Sequence, residues 1–216
     1  MTNNNFHKMF VVAVLLFGRI PALAADELQS AVAELQHGWA MVLYQTPKNH
    51  KEAAYLALSS RARQAAERFP GRVEPMVWQA IVLSSYAEYE NGLSALGKLK
   101  TAKELLLAAE KIDPAAMHGT IPMVLGVIHY KAPGWPLSFG DDRKAQEYLQ
   151  AALRSNPDGM DQNFYYGEFL LQLHDDAKAS SYLKKALAAE PRVGREDADS
   201  GRKAEIERML QSIARK

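Results

Sequence analysis

The 216-residue chain contains no cysteine, which excludes disulfides, thiolate metal sites, cysteine nucleophiles and a lipid carried on an N-terminal cysteine. It also lacks an excess of charge of either sign. Lys and Arg number 26 against 25 Asp and Glu, a formal +1, so no net field draws the chain toward nucleic acid or an anionic membrane. Long apolar runs are missing as well. The longest, Met9 to Phe17, falls well short of the about 20 residues that cross a bilayer. Alternating apolar and polar residues of the kind that mark strands are absent, and so are HExxH, a P-loop, GxGxxG and a nucleophile elbow. What remains is 48% hydrophobic and 24% charged, an ordinary globular composition. A chain of this length buries roughly 70% of its unfolded surface without staples.

Residues 1–8 are polar and carry Lys8, the apolar run follows, and Gly18 to Pro21 break it before Ala22-Leu23-Ala24. A short apolar stretch followed by small residues predicts a cleavable signal peptide over 1–24, with cleavage after Ala24. Removing Lys8 and Arg19 leaves 24 basic against 25 acidic residues in the mature chain. Export without cysteine suits a bacterial periplasm, where disulfides are permitted but not required.

The remainder is repetitive. Alanine is followed five residues later by proline at Ala65/Pro70, Ala109/Pro114, Ala152/Pro157 and Ala186/Pro191. Seven residues before each alanine stand Leu58, Ala102, Ala145 and Ala179, and further upstream Gly38, Val82, Gly126 and Gly167. Small residues let two antiparallel helices approach closely, and proline ends the second helix of each pair. The first helix shows Leu28, Val32, Leu35, Trp39 and Val42 on one stripe. Asn49-x-x-Glu52 and Thr101-x-x-Glu104 read as N-terminal signals of the second and fourth helices, Glu74-Pro75 as the start of the third. Asp141 or Asp142, Asp161, and Asp175 or Asp176 are expected to cap the sixth, seventh and eighth. These marks resemble the tetratricopeptide repeat (TPR) family, most closely in the fourth unit, Gly167, Ala179, Ala186 and Pro191. The first three units depart from it by seven or eight extra residues between the paired helices, either as longer loops or as added helical turns. The resemblance implies an all-α, right-handed superhelix of four helix pairs over 25–191. Residues 192–216 then form a linker and a capping helix with Ile206, Met209, Leu210 and Ile213 on its covered face.

Reactive chemistry is sparse. The mature histidines, His37, His50, His118, His129 and His174, show no metal-ligand spacing, and the paired aspartates are explained as caps. No catalytic residue, metal or cofactor is therefore expected. Two candidate binding regions stand out. In the TPR family the first helix of each pair lines a concave face. By that resemblance, Val32, Leu35, Trp39 and Val42 line it in unit one, then Met76, Gln79, Leu83 and Tyr86. Thr120, Met123, Val127 and Tyr130 follow in unit three, and Asp161, Phe164, Glu168 and Leu171 in unit four. Trp39, Leu83, Tyr86, Met123, Val127, Tyr130, Phe164 and Glu168 form the core of this candidate groove, which is open to a ligand or covered by the chain itself or a second copy. An apolar concavity selects an apolar partner helix, peptide or small molecule. The second region is the Pro- and Gly-rich segment 132–141 carrying Trp135, Leu137 and Phe139, either self-packed or a recognition loop. The run 195–203, with mixed signs, reads as a solvated linker.

The PGWPLSFGDDRKA segment (133–145), the YYGEFLL helix (165–171) and the early units of about 44 residues resemble the T-component of TRAP transporters (tripartite ATP-independent periplasmic transporters). That resemblance implies a periplasmic, non-catalytic scaffold that assembles with a substrate-binding subunit, without a membrane span or nucleic acid. A carrier of a hydrophobic small molecule is the alternative. A hydrolase on a helical scaffold is a third reading, which needs converging carboxylates or a serine beside a histidine.

Overall fold

The computed structural model describes residues 20–90 and 92–215. Most of the expected signal peptide, residues 1–19, lies outside these, and Ile20–Ala24 form the first turn of α1 (Ile20–Ala40). α1 passes into a π turn, Met41–Gln45, and the chain then runs through α2 (Lys48–Arg68), α3 (Val73–Glu90) and α4 (Gly92–Ile112). A 3-10 turn, Ala116–Gly119, leads into α5 (Thr120–Lys131). α6 (Asp142–Ser155), α7 (Met160–Gln172), α8 (Asp176–Leu187) and α9 (Glu196–Ala214) complete the chain. Among the described residues there is no strand, only an isolated bridge between Gly134 and Gly140. The helices pack as consecutive pairs, α1 with α2 through α7 with α8, and α9 lies on α8.

The small-residue marks are where the pairs meet. Ala102, Ala145, Ala179, Ala109, Ala152 and Ala186 have no exposed surface. Glycine on the first helix receives a leucine of the second: a Cβ on Gly126 would lie 2.6 Å from Leu149 Cγ, and one on Gly167 2.9 Å from Leu183 Cγ. Only glycine lets the backbones approach this far without displacing that leucine. In the first pair the same role falls to Gly38 and Leu58.

The extra residues of the early units take both forms. In unit two they are helix: α3 and α4 are separated by residue 91 alone, and α4 begins nine residues before Thr101, whose hydroxyl donates to the Gly97 carbonyl inside the helix. In unit one they are the long α2 and the π turn. In unit three they are loop, residues 132–141. Three capping expectations need correction. α2 is preceded by Pro47 rather than capped by Asn49, whose side chain meets His50. α4 does not start at Thr101. Gly159, not Asp161, precedes α7. Asp141 and Asp175 do cap, accepting hydrogen bonds from the backbone N–H of Lys144 and Lys178.

The run 195–203 also differs from its reading as a solvated linker. α9 begins at Glu196, Asp199 is buried, and Arg202 is 3% exposed. The charges of Asp199 and Arg202 belong to a face turned inward, where each finds an opposite partner.

Candidate functional site: a cavity inside the helical stack

α9 returns toward the N-terminal pair. The Tyr44 hydroxyl on the π turn donates to Glu205 Oε2 at 3.0 Å, His37 lies 3.3 Å from Asp197, and Gly201 sits directly on the Tyr44 ring. α1, α3, α5 and α7 are thereby arranged around a cavity of about 1050 Å3, with the C-terminal segment on its remaining side. Its lining runs along α3 from Glu74 to Glu88, about 20 Å at 1.5 Å per residue.

The middle of the cavity is apolar: Val32, Trp39, Trp78, Ile81, Met123, Val124 and Val127. Trp39 Nε1 donates to Ser85 Oγ at 2.8 Å, tying α1 to α3. Where α3 and α5 end, Lys131 bridges Glu88 and Glu168, and the Tyr130 hydroxyl donates to Glu168. Burial would lower the Lys131 ammonium's pKa, but the two carboxylates outweigh it and raise it. The Tyr130 hydroxyl is pushed well up by burial and then by Glu168. The exposed side chains of Leu93 and Leu137 belong to the lining at this end and form its rim.

The opposite end holds three arginines. Arg192 binds Asp161 at 2.6 Å and also Asp199. Arg202 lies 3.2 Å from Asp161 and 2.8 Å from Glu205, donates to the Tyr165 hydroxyl at 3.0 Å, and stacks 3.9 Å above Phe164. Burial alone would raise the Asp161 carboxyl, but Arg202 and Arg192 hold it below its usual range. Burial pushes the Tyr165 hydroxyl to about 12, against the lowering pull of Arg202. Arg195 places its guanidinium 5.2 Å above the Trp78 ring.

Of the residues expected from the sequence, Trp39, Met123, Val127, Tyr130 and Glu168 line this cavity. Leu83, Tyr86 and Phe164 do not. Tyr86 stacks on Tyr55 at 5.2 Å, Leu83 packs against the main core, and Phe164 lies under Arg202 in the core shared with α8 and α9. The cavity takes Trp78, Ser85 and Tyr165 where Gln79, Tyr86 and Phe164 were expected. On α3 the lining is displaced by one residue, a rotation of about 100° on a helix with 3.6 residues per turn, and on α7 Tyr165 replaces Phe164, whereas α5 presents the expected Thr120, Met123, Val127 and Tyr130. In the loop, Phe139 folds back onto His129 and Lys103, whereas Trp135 is 89% and Leu137 66% exposed. The arginines escape a reading of the sequence because their cue, a mixed-charge run, is the ordinary mark of a solvated face. Among the described residues no three His, Asp or Glu side chains group as metal ligands, and no helix is long and apolar enough to cross a membrane.

The arrangement defines a class of protein, an all-α helical-repeat protein of TPR-like architecture with an internal cavity. No family model matches the chain, and no curated protein matches its sequence. A solved structure does: a thermophilic TPR protein from Thermus thermophilus. It is 15% identical over 90% of this chain and 94% of that one, with a TM-score of 0.56. At this identity the likeness is one of fold.

Proposed function

We propose that this protein is an exported, non-catalytic binding protein that carries a hydrophobic small molecule in the cavity between α1, α3, α5, α7 and α9. The observation that carries this reading is the contact of α9 with the π turn, which places a wall across the concave face and leaves a deep cavity of about 1050 Å3 with one open rim. A deep concavity whose accessible lining is mainly apolar, with charged clusters toward both ends, fits a small ligand better than a folded partner. Native mass spectrometry of the mature chain tests it. The protein should retain a small bound mass, or take one up on incubation with a long-chain alcohol. Val127→Trp, which projects an indole into the cavity and narrows it, should lower the retained fraction of that mass while its helical circular dichroism is unchanged. A bare protein mass under every condition would overturn the reading.

A second reading concerns the exposed Trp135. A large aromatic side chain left 89% in solvent on a loop held by backbone bonds from Gly140 to Pro133 and from Asp141 to His129 favours docking to a partner protein. By the TRAP-component resemblance, this partner is a periplasmic substrate-binding subunit. Trp135→Ser should then abolish co-purification with that subunit without lowering the melting temperature. Undiminished co-purification would remove the loop from the interface.

A further inference from the structure

Resting on the carrier reading, we propose that the cavity is built for a single-headed anionic amphiphile, a long-chain carboxylate, with its headgroup held by Arg195 and Trp78. Three arginines and three carboxylates meet at the end of the cavity where α3 and α7 begin, so the cluster is formally balanced. The pairing is not. Asp161 and Asp199 close on Arg192, Asp161 and Glu205 close on Arg202, and Arg195 has no carboxylate in ion-pair contact among the described residues. Its Nε is buried without a hydrogen-bond partner, and so is the indole Nε1 of Trp78, over whose ring the Arg195 guanidinium lies. Burial and the neighbouring Arg192 lower the Arg195 pKa, against the raising pull of Asp161 and Asp199.

Guanidinium and indole N–H groups can only donate. Two adjacent buried donors without acceptors therefore call for a ligand that brings an oxygen acceptor, and a carboxylate satisfies the guanidinium in charge as well as in hydrogen bonds. From this point the lining turns apolar through Ile81, Met123 and Val127 toward Leu93 and Leu137. The two exposed leucines at that far rim offer the end of an alkyl chain apolar contact beside the Lys131 cluster. The other charged groups of the lining are spoken for: Lys131 by Glu88 and Glu168, and Glu74 by Arg72 at 2.9 Å.

The test is calorimetric titration of the mature protein, stripped of bound lipid, with dodecanoate and with dodecanol, which share chain length and differ in headgroup charge. Dodecanoate should bind the wild type about 10- to 100-fold more tightly than dodecanol. Arg195→Gln should weaken dodecanoate far more than dodecanol and so remove most of that advantage, with unchanged far-UV circular dichroism showing that the variant is folded. Arg195→Lys should recover part of it. Equal affinity of the wild type for both ligands would overturn the anionic headgroup while leaving the carrier reading in place. If neither ligand binds, the carrier reading falls and this inference with it.

Discussion

At the scale of single residues, the helix pairs depend on how close two backbones can come. Gly126→Ala places a methyl 2.6 Å from Leu149 Cγ, within a layer where Ala145 and Leu149 are fully buried. It should cost about 1–3 kcal/mol, read as a lower denaturant midpoint in an unfolding titration. Gly97 is the control. It lies inside α4, where an added methyl would have no neighbour within 4 Å, so Gly97→Ala should stabilise by about 0.5–1 kcal/mol. Asp161 supplies a pH dependence. Its folded pKa lies below the ordinary aspartate value, so the stability it confers is present above the unfolded pKa of about 3.9 and is lost as pH falls through the lower folded value. Asp161→Asn should lower stability at pH 7 and flatten the acid limb of a stability-against-pH curve below about pH 4. The small residues and prolines are legible in the sequence because packing constrains them directly. Arg192, Arg195 and Arg202 are not, since nothing local to a charged run reveals that it faces Asp161 or Trp78.

At the scale of elements, the pairing of helices is readable and several of their starts are not. Ala179 and Ala186 locate α8 correctly, and Asp175 caps it. Thr101-x-x-Glu104 and Asn49-x-x-Glu52 have the spacing of caps but sit inside α4 and α2, where Thr101 spends its hydroxyl on the Gly97 carbonyl. A short polar pattern signals a helix start only where the backbone N–H groups of the turn that follows lack intrahelical partners. Whether an insertion becomes helix or loop is likewise decided by its residues: 92–100 contain no proline and extend α4, whereas Pro133 and Pro136 keep 132–141 out of helix. The expected groove and the cavity part on α3 and at one position of α7, where Val82 turns into the core shared with α1 and α2 and Phe164 into the core shared with α8 and α9. Trp135→Ser in the loop should shift stability by no more than about 0.5 kcal/mol, the effect expected of an exposed side chain, as measured by thermal melting.

At the scale of the whole molecule, closure is the property that matters and the one no local pattern encodes. Tyr44 and Glu205 stand 161 positions apart, and their contact depends on the accumulated turn of four helix pairs. Gly201 lies against the Tyr44 ring so tightly that an added Cβ would come within 2.3 Å of it. Gly201→Leu should push α9 off the π turn, open the cavity and raise amide exchange in α9 and in Met41–Gln45, with α5 and α6 unaffected. The protein holds three tryptophans, of which Trp39 and Trp78 line the cavity and Trp135 is in solvent. The most direct measurement is therefore the tryptophan emission of Trp135→Phe, whose two remaining indoles report only from inside, during titration with dodecanoate. A saturable change in that emission, shifted to higher dodecanoate concentration when Val127→Trp narrows the space, is the expected result. Emission that stays constant while dodecanoate binds, or a titration that Val127→Trp leaves unmoved, would contradict a ligand site in the cavity.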